Sequence, residues 1–73
     1  MSAGDSYNLT HKNNVTSAEG VRQTAVLAAA GNATTIRNAE ITFFRTCLAS
    51  AIQNKCGTEP YMVALKGLGV TGQ

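Results

Sequence analysis

Large apolar residues are sparse at the start of the chain and become frequent after about residue 20. After the initial methionine, residues 2–14 contain only Tyr7 and Leu9 as larger apolar side chains, and the others are small or polar. Such a stretch shows no apolar period of a helix or a strand. We therefore expect residues 1–15 to form an extended arm.

A helix start follows this segment. The run Thr16-Ser17-Ala18-Glu19 matches the capping box, in which the threonine hydroxyl accepts from an N–H three residues on and the glutamate reaches back to the N–H of the cap. The pattern predicts a first helix over residues 17–30, which ends at Gly31-Asn32 because both residues tolerate a positive φ.

A longer helix is predicted over residues 33–56, with Gly57 as the left-handed residue that ends it. Its apolar positions form two adjacent stripes that together cover more than half of the helix circumference. Because a surface helix needs an apolar arc of only about 100°, we expect this helix to face two neighbours. One stripe contains Ile36, Ala39, Phe43 and Cys47, and the other contains Ile41, Phe44, Leu48 and Ile52.

A third, short helix is predicted over residues 59–66. Thr58 is a good N-cap, Glu59 suits the positive start of a helix, and Pro60 is tolerated in the first turn. Gly67 is expected to end the helix, and residues 69–73 are expected to form a flexible tail. The G-x-G-x-x-G run of residues 67–72 follows a helix rather than a strand, so it does not indicate a dinucleotide site.

The fold class that follows is all-α: an antiparallel helical hairpin with a short third helix packed across it. One helical domain spans residues 16–68, between the extended N-terminal arm and the flexible C-terminal tail. A single domain is the most that 73 residues support. The predicted core consists of Val21, Ala25, Ala28, Ile36, Ala39, Phe43, Phe44, Cys47, Leu48, Ile52, Tyr61 and Leu65.

Composition narrows the function classes. Only 14% of the residues are charged, against about 25% in typical domains, and a net charge of +2 gives no strong field for nucleic acid or anionic lipid. There is no apolar run of about 20 residues that would span a bilayer, and no signal-peptide pattern. We expect a location in the cytoplasm, or in a virion assembled there, and no membrane partner.

Catalytic and metal-binding chemistry finds little support in the residue types. His11 is the only histidine, and it lies in the predicted arm, where we expect it to be solvated or to face a partner. Cys47 lies on an apolar helix face and Cys56 at a helix end, so neither is expected to meet a base. One histidine and two distant thiols do not match a metal-site spacing. We therefore expect no enzymatic activity, no cofactor and no metal.

Glu40 is an unusual charge, because it falls inside the apolar arc of the second helix. A carboxylate there needs a partner if it is buried. Arg37, three residues earlier, is the expected partner in an ion pair at the rim of the core, and Arg22 could approach across the hairpin. A pair completed by a neighbouring chain is the second interpretation. An acid or base role is disfavoured because no second carboxylate or histidine accompanies Glu40.

The function that best fits these features is a non-enzymatic structural or interaction subunit of a larger protein assembly. A low-charge chain with a wide apolar helix leaves surface that neighbours can cover, and small virion accessory proteins such as decoration or adaptor subunits have this style of composition. The alternative is a small nucleic-acid-binding or regulatory protein that uses Arg22, Arg37 and Arg45, and whose binding would weaken steeply with salt. The expected partner-binding residues are Tyr7, Leu9, Ile41, Phe44, Leu48 and Ile52.

Overall fold

A computed structural model of the chain describes the backbone of residues 3–70 and the side chains of residues 9–70. Helix α1 spans Ala3–Ala28, α2 spans Ala33–Gln53 and α3 spans Glu59–Gly67. Helix α2 packs against α1 on one side and against α3 on another, and a short turn makes α1 and α2 antiparallel. The all-α fold class, a helical hairpin with a short third helix, is therefore confirmed for this part of the chain.

The first helix begins much earlier than the sequence pattern predicts. Since α1 starts at Ala3, the extended arm over residues 1–15 is wrong from that residue onward. The capping box does not form, because the Thr16 hydroxyl donates to the Lys12 carbonyl at 3.0 Å within the helix. Side chains of this segment contact α2: His11 bonds to Ser50, and Val15 packs against a buried cluster. Such tertiary contacts outweigh weak helix propensity.

Helices α1 and α2 meet along a seam whose positions are alternately four and three residues apart. This is the spacing of one helix face, and every seam residue is buried or half-buried. The residues that define this α1–α2 seam come from α1 and the turn after it, and from α2 and its C-cap. They are His11, Val15, Ala18, Arg22, Ala25 and Ala29 on the first side, and Ile36, Glu40, Phe43, Cys47, Ser50 and Asn54 on the second.

The seam changes part of the predicted core. Phe43, Cys47, Leu48 and Leu65 are buried as predicted, but Ile52 is 64% exposed. Val21 and Ala28 are also exposed, so these three core assignments are wrong. The error in α1 arises because its inward face carries polar and small residues. The large apolar residues of α1 were therefore a poor guide to its inward face.

The second stripe of α2 packs against α3. Ile41, Leu48 and Leu65 form a buried cluster, in which Leu65 is fully buried. The half-buried side chains that pack against this cluster are Phe44, Tyr61, Leu68 and Val70. Both apolar stripes of α2 thus have a neighbouring helix, which accounts for the width of its apolar arc.

Helix α2 ends at Gln53, three residues before the predicted end, and Asn54 is its C-cap. The left-handed residue is Lys55 (φ 58°) rather than Gly57. The N–H of Cys56 donates to the Ala51 carbonyl at 2.8 Å, and the N–H of Lys55 donates to the Ile52 carbonyl at 3.3 Å. These two bonds form a Schellman motif, here with a lysine where glycine is usual.

Helix α3 ends in a second Schellman motif. Gly67 is its last helical residue, and Gly69 (φ 85°) is the left-handed one. The N–H of Gly69 donates to the Lys66 carbonyl, and the N–H of Val70 donates to the Leu65 carbonyl. The predicted flexible tail therefore does not begin at residue 69, because Gly69 and Val70 belong to this cap. Residues 71–73 lie outside the described part.

The non-glycine cap of α2 yields a prediction. We expect Lys55→Gly to raise the free energy of unfolding by about 0.5–1 kcal/mol, because glycine removes the steric cost of the left-handed conformation. Gly57→Ala is the matched control and should change it by less than about 0.5 kcal/mol, since Gly57 has no positive φ and no atom lies within 4 Å of an added Cβ. Urea titrations followed by circular dichroism measure both values; a large loss for Gly57→Ala would contradict this cap.

Phe44 yields a second prediction, because it packs against both buried clusters and lies edge-on to Phe43 with ring centroids 5.0 Å apart. We expect Phe44→Ala to lower the free energy of unfolding by about 2–4 kcal/mol. Ile52→Ala on the same helix should cost less than about 1 kcal/mol, because Ile52 is exposed. Thermal and urea unfolding measure both variants. Equal losses for Phe44→Ala and Ile52→Ala would contradict the assignment of Phe44 to the core.

Candidate functional site

A cluster of polar side chains closes one end of the α1–α2 seam, and Ser50 lies at its centre. The Ser50 Oγ is 2.9 Å from His11 Nδ1 and 2.8 Å from Asn14 Nδ2. Asn54 Nδ2 donates to the Ser50 carbonyl at 2.9 Å and makes a longer contact of 3.4 Å with Oγ. His11 Nε2 is 2.9 Å from the Tyr61 hydroxyl on α3. We call these five residues the seam cluster; it joins all three helices.

Two arrangements of protons fit the geometry of the seam cluster. In one, the Ser50 O–H donates to His11 Nδ1 and Nε2–H donates to the Tyr61 hydroxyl; in the other tautomer, Nδ1–H donates to Ser50 Oγ and the Tyr61 O–H donates to Nε2. The Asn14 amide donates to Ser50 Oγ in both. The histidine ring also lies edge-on to Tyr61, with centroids 5.7 Å apart. His11 is half-buried in the fold, so the expectation of a solvated or partner-facing arm residue is wrong.

Serine, histidine and tyrosine in a row have the order of a nucleophile, a base and an orienting group. Two features of the site oppose that chemistry. Ser50 is only 6% exposed, and it lies inside α2, where the backbone N–H groups bond to carbonyls four residues earlier. No pair of free amides is therefore available there to stabilise an oxyanion. The arrangement is suited to holding three helices together.

The two cysteines have different environments, and neither forms a disulfide. Cys47 is 1% exposed in the seam. Burial raises the pKa of its thiol above the ordinary value of 9.0; the charge of Glu19 raises it further and that of Arg22 lowers it. The thiol stays protonated near neutral pH and acts as a small apolar group. The Cys56 thiol donates to the Asn54 carbonyl at 3.5 Å.

A groove of about 910 Å³ runs along the hairpin between α1 and α2, away from α3. On α2 its floor lies roughly 140° around the helix from the stripe that packs against α3, at about 100° per residue. The lining of this hairpin groove contains two arginines, Arg22 from α1 and Arg45 from α2, and no acidic residue. The remaining side chains are mostly alanine, threonine and asparagine, and the α2 stripe consists of Thr35, Ala39, Thr42, Thr46, Ala49 and Gln53.

The three arginines of the nucleic-acid alternative do not form one patch. The guanidinium of Arg22 lies 4.5 Å above the centre of the Phe43 ring. Arg37 donates to the Leu68 carbonyl at the end of α3. Arg45 is exposed at the groove. Arg22 and Arg45 line the hairpin groove and Arg37 does not, and two such side chains give a weaker field for a polyanion than a continuous basic stripe does.

The ion pair expected between Glu40 and Arg37 is not seen among the described side chains. Arg37 bonds to α3, while Glu40 is half-buried at the α1–α2 seam. A one-turn separation on the helix permits such a pair, but the end of α3 offers Arg37 a carbonyl that is otherwise left without an intrahelical donor.

The expected partner-binding residues fall into four groups. Ile41 and Leu48 are buried beneath α3, so their assignment to an open surface is wrong: the third helix covers that stripe. Phe44 is half-buried, whereas Leu9 and Ile52 are exposed. The side chain of Tyr7 lies outside the described part.

Neither a membrane-spanning helix nor a metal site is found in the described part of the chain. Within residues 3–70 no helix combines the length and the apolar character that crossing a membrane requires. Among residues 9–70, whose side chains the structure describes, no group of three or more histidine, cysteine or acidic side chains is placed to hold a metal ion. Comparison with protein-family models, with curated proteins and with solved structures finds no match for this chain.

The central role of Ser50 can be tested. We expect Ser50→Ala to lower the free energy of unfolding by about 2 kcal/mol, because it removes the hydrogen bonds of the buried Ser50 Oγ with Asn14 and with His11 Nδ1. Ser17→Ala is the matched control: Ser17 is an exposed residue of α1, and its loss should cost less than about 0.5 kcal/mol. Equal urea midpoints for the two variants would contradict a structural role for the cluster.

Proposed function

We propose that this chain is a non-enzymatic structural and interaction subunit of a larger protein assembly, of the kind found among small virion accessory, decoration or adaptor proteins. The observation that carries the proposal is the flat shape of the helical layer, whose Cα atoms extend over 44 × 26 × 12 Å. Folded domains generally pack at least two layers of secondary structure around a core. A single thin layer leaves helix faces that a neighbour can cover.

The exposed apolar side chains support the same proposal. Six large ones are between 44% and 74% exposed, and they occur on all three helices. With few charged residues to separate molecules in solution, such a surface favours association. The six residues are Leu9, Val21, Leu27, Ile52, Met62 and Val63.

The non-enzymatic part of the proposal is supported by how the reactive side chains are used. The hydroxyl of Ser50 and the ring of His11 bond within the seam cluster, and Cys47 is buried. Nucleic-acid binding through Arg22, Arg37 and Arg45 is the weaker candidate, because Arg37 is bonded to α3. We place the assembly in the cytoplasm or in a virion that is assembled there.

Light scattering after size exclusion, with circular dichroism on the same sample, tests the proposal. At low and at high salt we expect a helical oligomer whose mass exceeds 7.6 kDa and rises with concentration, because apolar contacts are not screened by salt. Ile52→Lys should lower this mass, and Gln23→Lys, which adds the same charge at another exposed position, should not. A helical monomer at every concentration would exclude self-assembly and leave only a foreign partner.

The nucleic-acid alternative is tested on the same protein. Fluorescence anisotropy with single-stranded and duplex oligonucleotides should show no binding that depends steeply on salt. An affinity that falls by about 10-fold or more between low and physiological salt is typical of phosphate contacts. That result would favour the alternative over an assembly subunit.

A further inference from the structure

We infer that the hairpin groove binds an amphipathic helix of a different protein, and that acidic side chains flank the apolar stripe of that helix. The inference rests on the proposed function, which it deepens by naming the chemistry of one partner. It is argued from the length of the groove, from the small side chains in its floor, and from the positive charge of the two arginines that line it.

The groove is long enough to hold a helix. Its α1 side runs from Asn14 to Ala25 and its α2 side from Thr35 to Gln53, or about 17 Å and 27 Å at 1.5 Å per residue. A helix laid between two antiparallel helices contacts residues three and four apart on each, as in helix-in-groove recognition. The floor residues of α2 have this spacing.

Apart from Gln53 at one end, the floor consists of alanine and threonine, whose small side chains allow a helix backbone to approach closely. The Thr46 hydroxyl donates to the Thr42 carbonyl within α2 at 2.9 Å, so its hydrogen-bond donor is satisfied without a partner. A threonine bonded in this way offers its methyl group to a neighbouring helix. Together with Ala18, Ala39 and Ala49, it gives a mainly apolar contact surface.

The charges of the groove select the partner. One arginine comes from each helix, and no acidic side chain lines the groove. Arg22 lies against the Phe43 ring, which limits its freedom. Arg45 is exposed on the opposite helix. A helix with acidic residues beside its apolar stripe can therefore pair with both.

The same charges disfavour two other occupants. Two copies of this chain joined through their grooves would bring four arginines together with no acidic lining residue, and like charges across an interface oppose binding. A nucleic-acid backbone needs many basic contacts for affinity, whereas this groove has two arginines and a floor made mainly of threonine and alanine. An amphipathic helix with acidic side chains can both pack on the floor and pair with the two arginines.

The probe is a pair of synthetic helical peptides of about 21 residues, or about 32 Å. Both carry alanine and leucine on one stripe, flanked in one peptide by glutamates and in the other by lysines. We expect the full chain to bind the glutamate peptide at least about 10-fold more tightly by fluorescence anisotropy. Arg45→Glu should weaken binding of the glutamate peptide by about 5-fold or more and strengthen binding of the lysine peptide.

Two further variants complete the design. Lys66→Glu makes the same charge change on α3, outside the groove, and should alter the affinity by less than about 2-fold. Arg22→Gln removes the second charge and should also weaken binding of the glutamate peptide. Circular dichroism checks the helicity of each variant. If Arg22→Gln loses helicity, the test rests on the peptide affinities of Arg45→Glu, because Arg45 is exposed.

Several outcomes would overturn the inference. These are equal binding of the two peptides, no binding of either at about 1 mM, and an oligonucleotide that displaces the glutamate peptide. A further one is self-association that Arg45→Glu strengthens, since it would assign the groove to a second copy. A chain that oligomerises through Ile52 but ignores both peptides overturns this inference and leaves the proposed function intact. A monomer that binds neither peptide overturns this inference and also excludes self-assembly as the proposed function.

Discussion

The packing of two helices on α2 is the constraint on which the rest of the structure depends. One stripe of α2 meets α1, and the next stripe, around Ile41 and Leu48, meets α3. Helix α3 has only nine residues, too few to be stable alone in water. Its position therefore depends on the burial of Leu65, on the cap that brings Val70 onto the same cluster, and on Arg37, which bonds to its last turn.

The seam cluster gives this packing a unique register. Apolar contacts tolerate a shift along the helix axes, but the bonds from Ser50 to His11 and from His11 to Tyr61 exist only at one alignment of the three helices. A polar network that is fully satisfied contributes specificity in this way, whereas a partly satisfied one destabilises. The described part has no buried side-chain polar atom without a partner, so the cluster fixes the alignment without that penalty.

The sequence was informative where large apolar residues mark a face, and misleading where they do not. The two stripes of α2 and the short α3 follow from their apolar spacing. The early part of α1 does not, because its inward positions carry His11, Ala18 and Arg22 instead of large apolar groups. Small or hydrogen-bonding residues at alternating spacings of four and three are the sequence signal that marks this seam. The end of α2 was missed because Lys55, not the nearby Gly57, adopts the left-handed conformation.

The composition of the chain has a structural interpretation that bears on its function. In the described helices, Thr16, Thr24 and Thr46 donate their hydroxyls to carbonyls four residues earlier, so these polar residues can lie on a helix surface without needing water or a partner as acceptor. Thr46 lies in the floor of the hairpin groove, a face made mainly of uncharged threonines and alanines. It costs little to desolvate, and it therefore suits a surface that is covered by another helix more than one that must remain in water.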